Sequence, residues 1–196
     1  HLRDQILSFW MPRCLDKEYG GYLNCFDNSG KNLLSNNKFT WSQGRFIWIF
    51  SRLSNIEADI FTVAERKIFQ EYAANGADFL KQHVLLKDKH ACTYLMDRMG
   101  RPIYVDPLNK IYDASIYADF FAICGFARYS MLSNDTTYFE FALELYQSAI
   151  RRIQAHEYRV LPYVRPSGRR MHGIPLEENF IFLRFYLHCN FSVPPN

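Results

Sequence analysis

The sequence predicts an all-α protein, an α/α toroid in which apolar inner helices alternate with amphipathic outer helices and short β-hairpins join them. Three observations carry this. First, Phe26-Asp27-Asn28-Ser29-Gly30-Lys31, Met96-Asp97-Arg98-Met99-Gly100-Arg101 and Val164-Arg165-Pro166-Ser167-Gly168-Arg169 share one pattern, and their glycines lie 70 and 68 positions apart. Repeats of this size mean stacked arrays or closed rings, because one unit has no means of burying its own apolar face. Second, each of the first two turns leads into a helix apolar nearly all round and then into an amphipathic one, the signatures of buried and surface helices. Third, no Gly/Ser/Pro-rich linker divides the chain.

The 196 residues, 48% hydrophobic and 17% aromatic, suit a well-cored globular protein. A net charge of +3, from 23 basic and 20 acidic residues, is too mild and dispersed for nucleic acid. The basic pairs Arg151-Arg152 and Arg169-Arg170 read as solvated faces. No run has the length of a transmembrane helix and no signal-peptide pattern opens the chain, so no membrane partner is expected. Five cysteines (Cys14, Cys25, Cys92, Cys124 and Cys189) without a CxxC pair point to reduced thiols in a cytoplasmic protein. The first residue, His1, is not methionine, which places the true beginning upstream.

Taken in order, Leu2 to Trp10 is apolar at Leu2, Ile6, Leu7 and Trp10, a short amphipathic helix stopped by Pro12. Gly20 to Phe26 alternates as a strand does, and Asp27 to Lys31 turns it. A helix then runs from Trp41 to about Ser54. Its start is expected at a capping box, with the Thr40 hydroxyl accepting from the backbone of Gln43 and Gln43 reaching back. Thr62 to Val84 is a long amphipathic helix, with Phe69, Tyr72, Ala73, Gly76, Phe79 and Leu80 opposite Glu65, Arg66, Lys67 and Glu71. Cys92 to Asp97 reads as a strand, and Ala114 to about Leu132 as a helix apolar almost all round. Asp135 or Thr136 caps a further amphipathic helix to about Gln154; Tyr158 to Val164 is strand-like and Phe180 to Leu187 mostly apolar.

The helix at Trp41 carries the functional reading. Trp41, Arg45 and Trp48 share a face, since residues three and four apart are neighbours. A guanidinium on an otherwise apolar helix is costly to bury without an anionic or polar partner. Arg45 between two indoles therefore reads as the wall of a polar-ligand pocket or as half of an internal ion pair. There is no Gly-rich phosphate loop, no HExxH and no His/Cys cluster at zinc spacing, so neither cofactor nor metal is expected. Glu177-Glu178 does not make a hydrolase pair, because adjacent helical residues face apart.

Phe9-Trp10, Asp16-Lys17-Glu18-Tyr19-Gly20-Gly21-Tyr22, the Asp27–Lys31 turn and Trp41-Ser42-Gln43-Gly44-Arg45 followed by Trp48 and Ser51-Arg52-Leu53 resemble the N-acylglucosamine 2-epimerase family. Cellobiose 2-epimerases, mannose isomerases and the renin-binding protein fall within that family. Ile116-Tyr117-Ala118-Asp119-Phe120-Phe121-Ala122 resembles its next inner helix, and the match runs from about Leu2 to Pro175.

The resemblance implies an (α/α)6 barrel of which this chain, with three hairpin units rather than six, is the N-terminal half. Residues 1–196 then belong to one barrel domain, and residues 176–196 depart from the family pattern. It also implies a sugar 2-epimerase or aldose–ketose isomerase that moves a proton at C2 of an open-chain carbohydrate through an enediolate. Arg45 is the catalytic donor to the enediolate oxygen; Trp41 and Trp48 offer faces to the sugar, and Tyr117 a phenolic hydrogen bond. The family's two acid/base histidines lie beyond Asn196. Of the histidines here, His83 and His90 are expected to be exposed and structural. His156 closes a helix favourably for its dipole. His172, following the third hairpin, is the candidate to face the cavity. The alternative is a non-catalytic half-barrel that binds a sugar or a protein, and a half toroid implies pairing with another copy or with a C-terminal half.

Overall fold

A computed structural model of the chain describes residues 1–56, 60–163 and Ile174. The Arg165–Arg169 turn, the Phe180–Leu187 run, Cys189 and the Glu177-Glu178 pair lie outside the described residues.

A π-helical stretch at Leu2–Leu7 runs into α1 (Ser8–Trp10). Strands β1 (Cys25–Phe26), β2 (Leu33–Ser35) and β3 (Lys38–Phe39) lead to α2 (Thr40–Ser54) and α3 (Val63–His83). Strands β4 (Leu85–Leu86), β5 (Ala91–Cys92) and β6 (Leu95–Met96) lead to α4 (Ile116–Ser133) and α5 (Thr136–Gln154). Helices α2 and α4 pack on each other, α3 backs α2, and α5 backs α4. This is the inner and outer alternation expected from the sequence.

The two complete hairpin turns are built alike. Gly30 and Gly100 take φ of 69° and 90°, and their N–H groups donate to the carbonyls of Asp27 and Asp97 at 2.9 and 3.1 Å. The carboxylates of Asp27 and Asp97 accept from the N–H of Lys31 and Arg101 at 3.0 and 2.9 Å. Consecutive units are stitched at this end of the helices. Strand β3 pairs antiparallel with β6 (Lys38 opposite Met96, Phe39 opposite Leu95), and Ser115, just before α4, bridges Val160 of the following unit.

Three sequence expectations are corrected. Gly20 to Phe26 is not one strand: Gly20 and Gly21 take φ of 81° and 69°, which breaks extended geometry, and only Cys25–Phe26 joins a ladder. Cys92 to Asp97 divides between two sheets, β5 pairing with β4 and β6 with β3. The capping box is not at Thr40 and Gln43. The Thr40 hydroxyl donates to the Thr93 carbonyl at 2.5 Å, while Gln43 bonds the backbone of Tyr22. Thr62 and Glu65, with the same spacing, do form one, and start α3.

The two inner helices differ in environment. Helix α4 is buried almost throughout; Phe126, with no exposed surface, meets Phe141 edge-on and lies tilted against Tyr138. Burial of such a ring stabilises by about 1.5–3 kcal/mol. Helix α2 buries Ile47, Phe50 and Leu53 but leaves Arg45 and Ile49 exposed. Expected apolar all round and buried, α2 is thus open along one side.

Charged groups pin the layers. Lys38, fully buried, donates to Asp16 at 3.0 Å and to the carbonyls of Gly20 and Arg98 at 2.6 Å each, with its ammonium over the Phe79 ring. Arg98 closes on both oxygens of Asp16 at 2.9 and 3.0 Å. Burial works to raise the Asp16 pKa, but the hydrogen bonds from Arg98 and Lys38 prevail and hold it below the usual carboxylate value. On the second inner helix, Asp119 accepts from Arg152 of α5 at 2.7 Å and from the N–H of Cys92 at 3.0 Å. There burial outweighs the guanidinium and raises the carboxyl pKa.

Candidate functional site

The site is organised by a close helix crossing. Gly44 of α2 lies against the backbone of α4, where a Cβ would stand 2.1 Å from the Phe121 carbonyl oxygen; a Cβ on Gly125 would stand 2.7 Å from the Gly44 oxygen. Glycine at both contact points lets the helices approach backbone to backbone. The residue after Gly44, Arg45, is thereby delivered to the side chain of Phe121, with its guanidinium carbon 3.8 Å from the ring centroid. Trp41, one turn earlier on α2, lies 5.7 Å away, so a cation–π contact reaches Arg45 from each helix.

Besides Trp41, the ring that stacks on Arg45 is Phe121, which the sequence did not single out. Trp48 is half-buried and packs against the core. Trp41 is held in turn by the hairpin layer, with Tyr94 edge-on at 5.4 Å and Phe39 at 6.2 Å. Tyr117 lies one turn before Phe121 on α4, is 8% exposed, and meets Tyr163 edge-on at 5.9 Å. Trp41 and Arg45 on one helix and Tyr117 and Phe121 on the other occupy corresponding i and i+4 positions. His172 lies outside the described residues.

No ion pair holds Arg45 among the described residues, and its side chain is exposed. Beside it is a cavity of about 460 Å³ lined by residues of the N-terminal helical stretch and by Ser42, Arg45, Phe46, Ile49, Phe50 and Leu53 of α2. Its walls are nearly all apolar, and polar groups occur at its Ser42 and Arg45 side. Ser42 accepts from the Asn24 amide at 3.0 Å. Among the described residues lining the hollow, Arg45 and Ser42 form a short polar strip and Arg45 carries its charge.

Three of the described histidines, His83, His90 and His156, have structural surroundings. His83, expected exposed, is half-buried: its ring lies 4.8 Å from Phe79, and it packs where a Cβ on Gly100 would fall, at 2.3 Å. Burial, aided by the Lys38 charge, lowers its pKa. His90 faces Glu144 at 3.7 Å. His156 closes α5 as expected, but from a left-handed backbone conformation with φ of 60°.

Sequence reasoning missed Phe121, Lys38, Asp16 and the true partner of Gln43. Phe121 was lost among the apolar residues of α4; only the pairing of Gly44 with Gly125, small residues in successive inner helices, could have signalled it.

The fold and this strip define an α/α-toroid protein. A sugar epimerase from a ruminal bacterium superposes with a TM-score of 0.72 at 17% identity, covering 94% of this chain and 47% of that one. The cellobiose 2-epimerase of Spirochaeta thermophila superposes at 0.70 with 19% identity, covering 96% of this chain and 47% of that one. The particular family follows from the sequence match: the chain belongs to the N-acylglucosamine 2-epimerase (GlcNAc 2-epimerase) family, whose profile matches residues 21–162. Its relatives include the N-acylglucosamine 2-epimerase of Mus musculus, 30% identical over 103 residues, covering 52% of this chain and 23% of the mouse protein. That of Bos taurus is 27% identical over 131 residues, covering 64% of this chain and 29% of the bovine protein. The chain spans about half the length of the solved structures it matches, and its matches span less than a third of the curated relatives.

Proposed function

We propose that the chain supplies the arginine-bearing part of a sugar 2-epimerase or aldose–ketose isomerase of the N-acylglucosamine 2-epimerase type. In that chemistry a base removes the proton at C2, alpha to the carbonyl of an open-chain sugar. The C–H electron pair moves into the C1–C2 bond, and the carbonyl pair moves onto oxygen, giving an enediolate. Arg45 donates hydrogen bonds to that oxygen, whose charge grows as the proton leaves. Return of a proton to the other face of C2 gives the epimer; delivery to C1 gives the ketose. Trp41, and with it Trp48, offers an apolar face to the carbon side of the sugar, and Tyr117 a hydroxyl. His172 is the candidate to contact substrate from the third unit.

The observation that supports this reading is the state of Arg45, a guanidinium stacked on Phe121 and Trp41 while no carboxylate among the described residues pairs with it. A purely structural arginine would be expected to resemble Arg152, which sits on buried Asp119. The test is wash-in of deuterium at C2 of N-acetylglucosamine, mannose and cellobiose in deuterated water. In the complete protein the original should exchange and Arg45→Lys should nearly abolish exchange while leaving folding intact, because a single ammonium does not reproduce the guanidinium fork. An exchanging lysine variant of normal rate would overturn the role of Arg45.

A second reading has its own support. His83 packs on Phe79, His90 lies near the Glu144 carboxylate and His156 closes α5, so none of these three is placed as an acid/base residue. On this reading the chain binds a sugar or a protein without chemistry, and the same exchange assay returns no signal while ligand binding persists. In either case the apolar hollow beside α2 is a packing seam for another copy or for further barrel polypeptide. A chain that remains monomeric by light scattering and binds no hydrophobic dye would contradict this. The free thiols of Cys14, Cys25, Cys92 and Cys124 support a reducing, cytoplasmic setting.

A further inference from the structure

We propose that Phe121 is the positioning residue for Arg45: it holds the guanidinium by its flat face and leaves the N–H edge free to meet an anionic oxygen. The inference rests on the reading of Arg45 as the oxyanion donor. An unpaired arginine on an open helix face samples many rotamers, and freezing one of them weakens any ligand it then binds. Here the freezing is done in advance. The ring centroid lies 3.8 Å from the guanidinium carbon, face contact that blocks one side of the plane without using an N–H. The placement is fixed by backbone. Gly44 bears on the carbonyl of Phe121 and the N–H of Ala122, so the residues flanking the contact, Arg45 and Phe121, have to meet. Trp41 reaches the same guanidinium from a longer distance, 5.7 Å, and restricts it along the helix. An acidic residue at the Phe121 position would also hold Arg45, but it would neutralise the charge and occupy the donors. An aromatic ring orients the cation and keeps both.

The experiment uses the full chain and N-acetylglucosaminate, an aldonate whose C1 carboxylate presents an anionic oxygen at the carbon whose carbonyl oxygen gains charge in the reaction. Binding is followed by calorimetry, and the Arg45 side-chain N–H by ¹⁵N-resolved NMR. In the unsubstituted chain the Arg45 Nε–H resonance should be shifted upfield by the Phe121 ring current. Phe121→Leu should abolish that shift and weaken aldonate binding about fivefold, the effect of losing one exposed cation–π contact, with other amide positions unmoved. Phe121→Tyr should restore both. Equal binding by the leucine and tyrosine variants, or an unshifted Arg45 resonance in the unsubstituted chain, overturns the proposal. Arg45→Gln separates it from the reading on which it rests. If that variant binds the aldonate as well as the original, the oxyanion role of Arg45 fails. If it alone loses binding while Phe121→Leu does not, only the positioning role fails. Should the chain bind no aldonate, the oxyanion reading loses its support and the resonance test still decides whether Phe121 holds Arg45.

Discussion

Gln43 and the backbone of Tyr22 exchange two hydrogen bonds across 21 residues of chain: the amide oxygen accepts from the Tyr22 N–H at 2.8 Å, and the amide nitrogen donates to the Tyr22 carbonyl at 2.9 Å. Gln43 is fully buried, and so is Tyr22, whose hydroxyl donates to the Tyr72 carbonyl at 2.7 Å. One side chain therefore ties the inner helix α2 to the loop before β1, and Tyr22 ties that loop to the outer helix α3. The second unit repeats the device with a charge: Asp119, also the fourth residue of its helix, accepts from the N–H of Cys92. Cys92 stands 70 positions after Tyr22, the interval that separates the first two turn glycines.

Replacing Gln43 by Glu keeps the shape and the acceptor but removes the donor, setting a carboxylate oxygen against the Tyr22 carbonyl in a dry site. The expected loss is about 3 kcal/mol at neutral pH, as for a buried polar group left unpaired. It should shrink in acid, where protonation returns a donor. Urea unfolding at pH 7 and pH 4.5 measures this; an unchanged midpoint at pH 7 would show that the bidentate contact contributes little.

The contrast between Gln43 and Thr62 shows what was legible in the sequence. Helices α3 and α5 were read to within a residue or two because their signals are local, periodicity along the helix and a capping residue within one turn of the start. Thr40 with Gln43 and Thr62 with Glu65 have the same spacing, yet only the second pair caps a helix. Gln43 is claimed by a loop distant in sequence, a tertiary contact that overrides the local one and that spacing does not reveal. The same reason hid the pairing of Lys38 with Asp16, since both are held by Arg98 from far along the chain. Arg45 was legible as an odd residue on an apolar helix. Its ring partner was not, because Phe121 looks like any other apolar residue of α4.

Gly44 sets the spacing between the inner helices. Its Cβ in a Gly44→Ala variant would fall 2.1 Å from the Phe121 carbonyl oxygen, a backbone atom with no freedom to rotate away. The helices must separate, and overpacking of this kind costs about 3 kcal/mol. Because the crossing also carries Phe121 to Arg45, the variant should lose the Arg45 ring-current shift as well as stability. Thermal unfolding with NMR of the Arg45 side chain checks both, and a stable alanine variant with unshifted contacts would refute the account.

Lys38 is the buried cation of the hairpin layer. Lys38→Met leaves the carbonyls of Gly20 and Arg98 without a donor and removes one of the two cations on Asp16, at an expected cost of roughly 3–5 kcal/mol. Arg98→Ala should cost less, since its side chain is 36% exposed and solvent screens it. Chemical denaturation of the two variants side by side tests the order, and a larger loss from Arg98→Ala would reverse the assignment of the anchoring role.

The hairpin turns predict how stability responds to acid. Hydrogen bonds from the side chains of Asn32 and Ser29 bring the Asp27 pKa down to about 2. At Asp97, burial works upward, but hydrogen bonds from Arg101 win and the pKa is lowered too. A depressed carboxylate contributes stability that is complete above its unfolded value, about 3.9, and is lost as pH falls through the folded value. The denaturation midpoint should accordingly hold from neutral pH to about pH 4 and then decline toward pH 2. Asp27→Asn should flatten part of that decline, which carboxyl NMR titration would trace to the same residue.

His156 ends α5 in the position that glycine usually fills. Its N–H donates to the Ile153 carbonyl at 3.1 Å, and the next N–H, of Glu157, reaches back to Arg152 at 2.8 Å, the paired bonds of a Schellman stop. That stop requires a left-handed residue, and a side chain with a Cβ adopts φ of 60° only at a cost. His156→Gly relieves the strain but frees the unfolded chain, so the net gain should be about 0.5–1 kcal/mol. The sequence offered a different account, a side chain that favours the C-terminal end of the helix dipole. The two separate by substitution: relief of strain stabilises His156→Gly and gives no gain to His156→Ala, which loses the imidazole and keeps the Cβ. A dominant contribution from the imidazole would instead make both variants weaker than the original, and thermal unfolding of the three proteins decides between the two accounts.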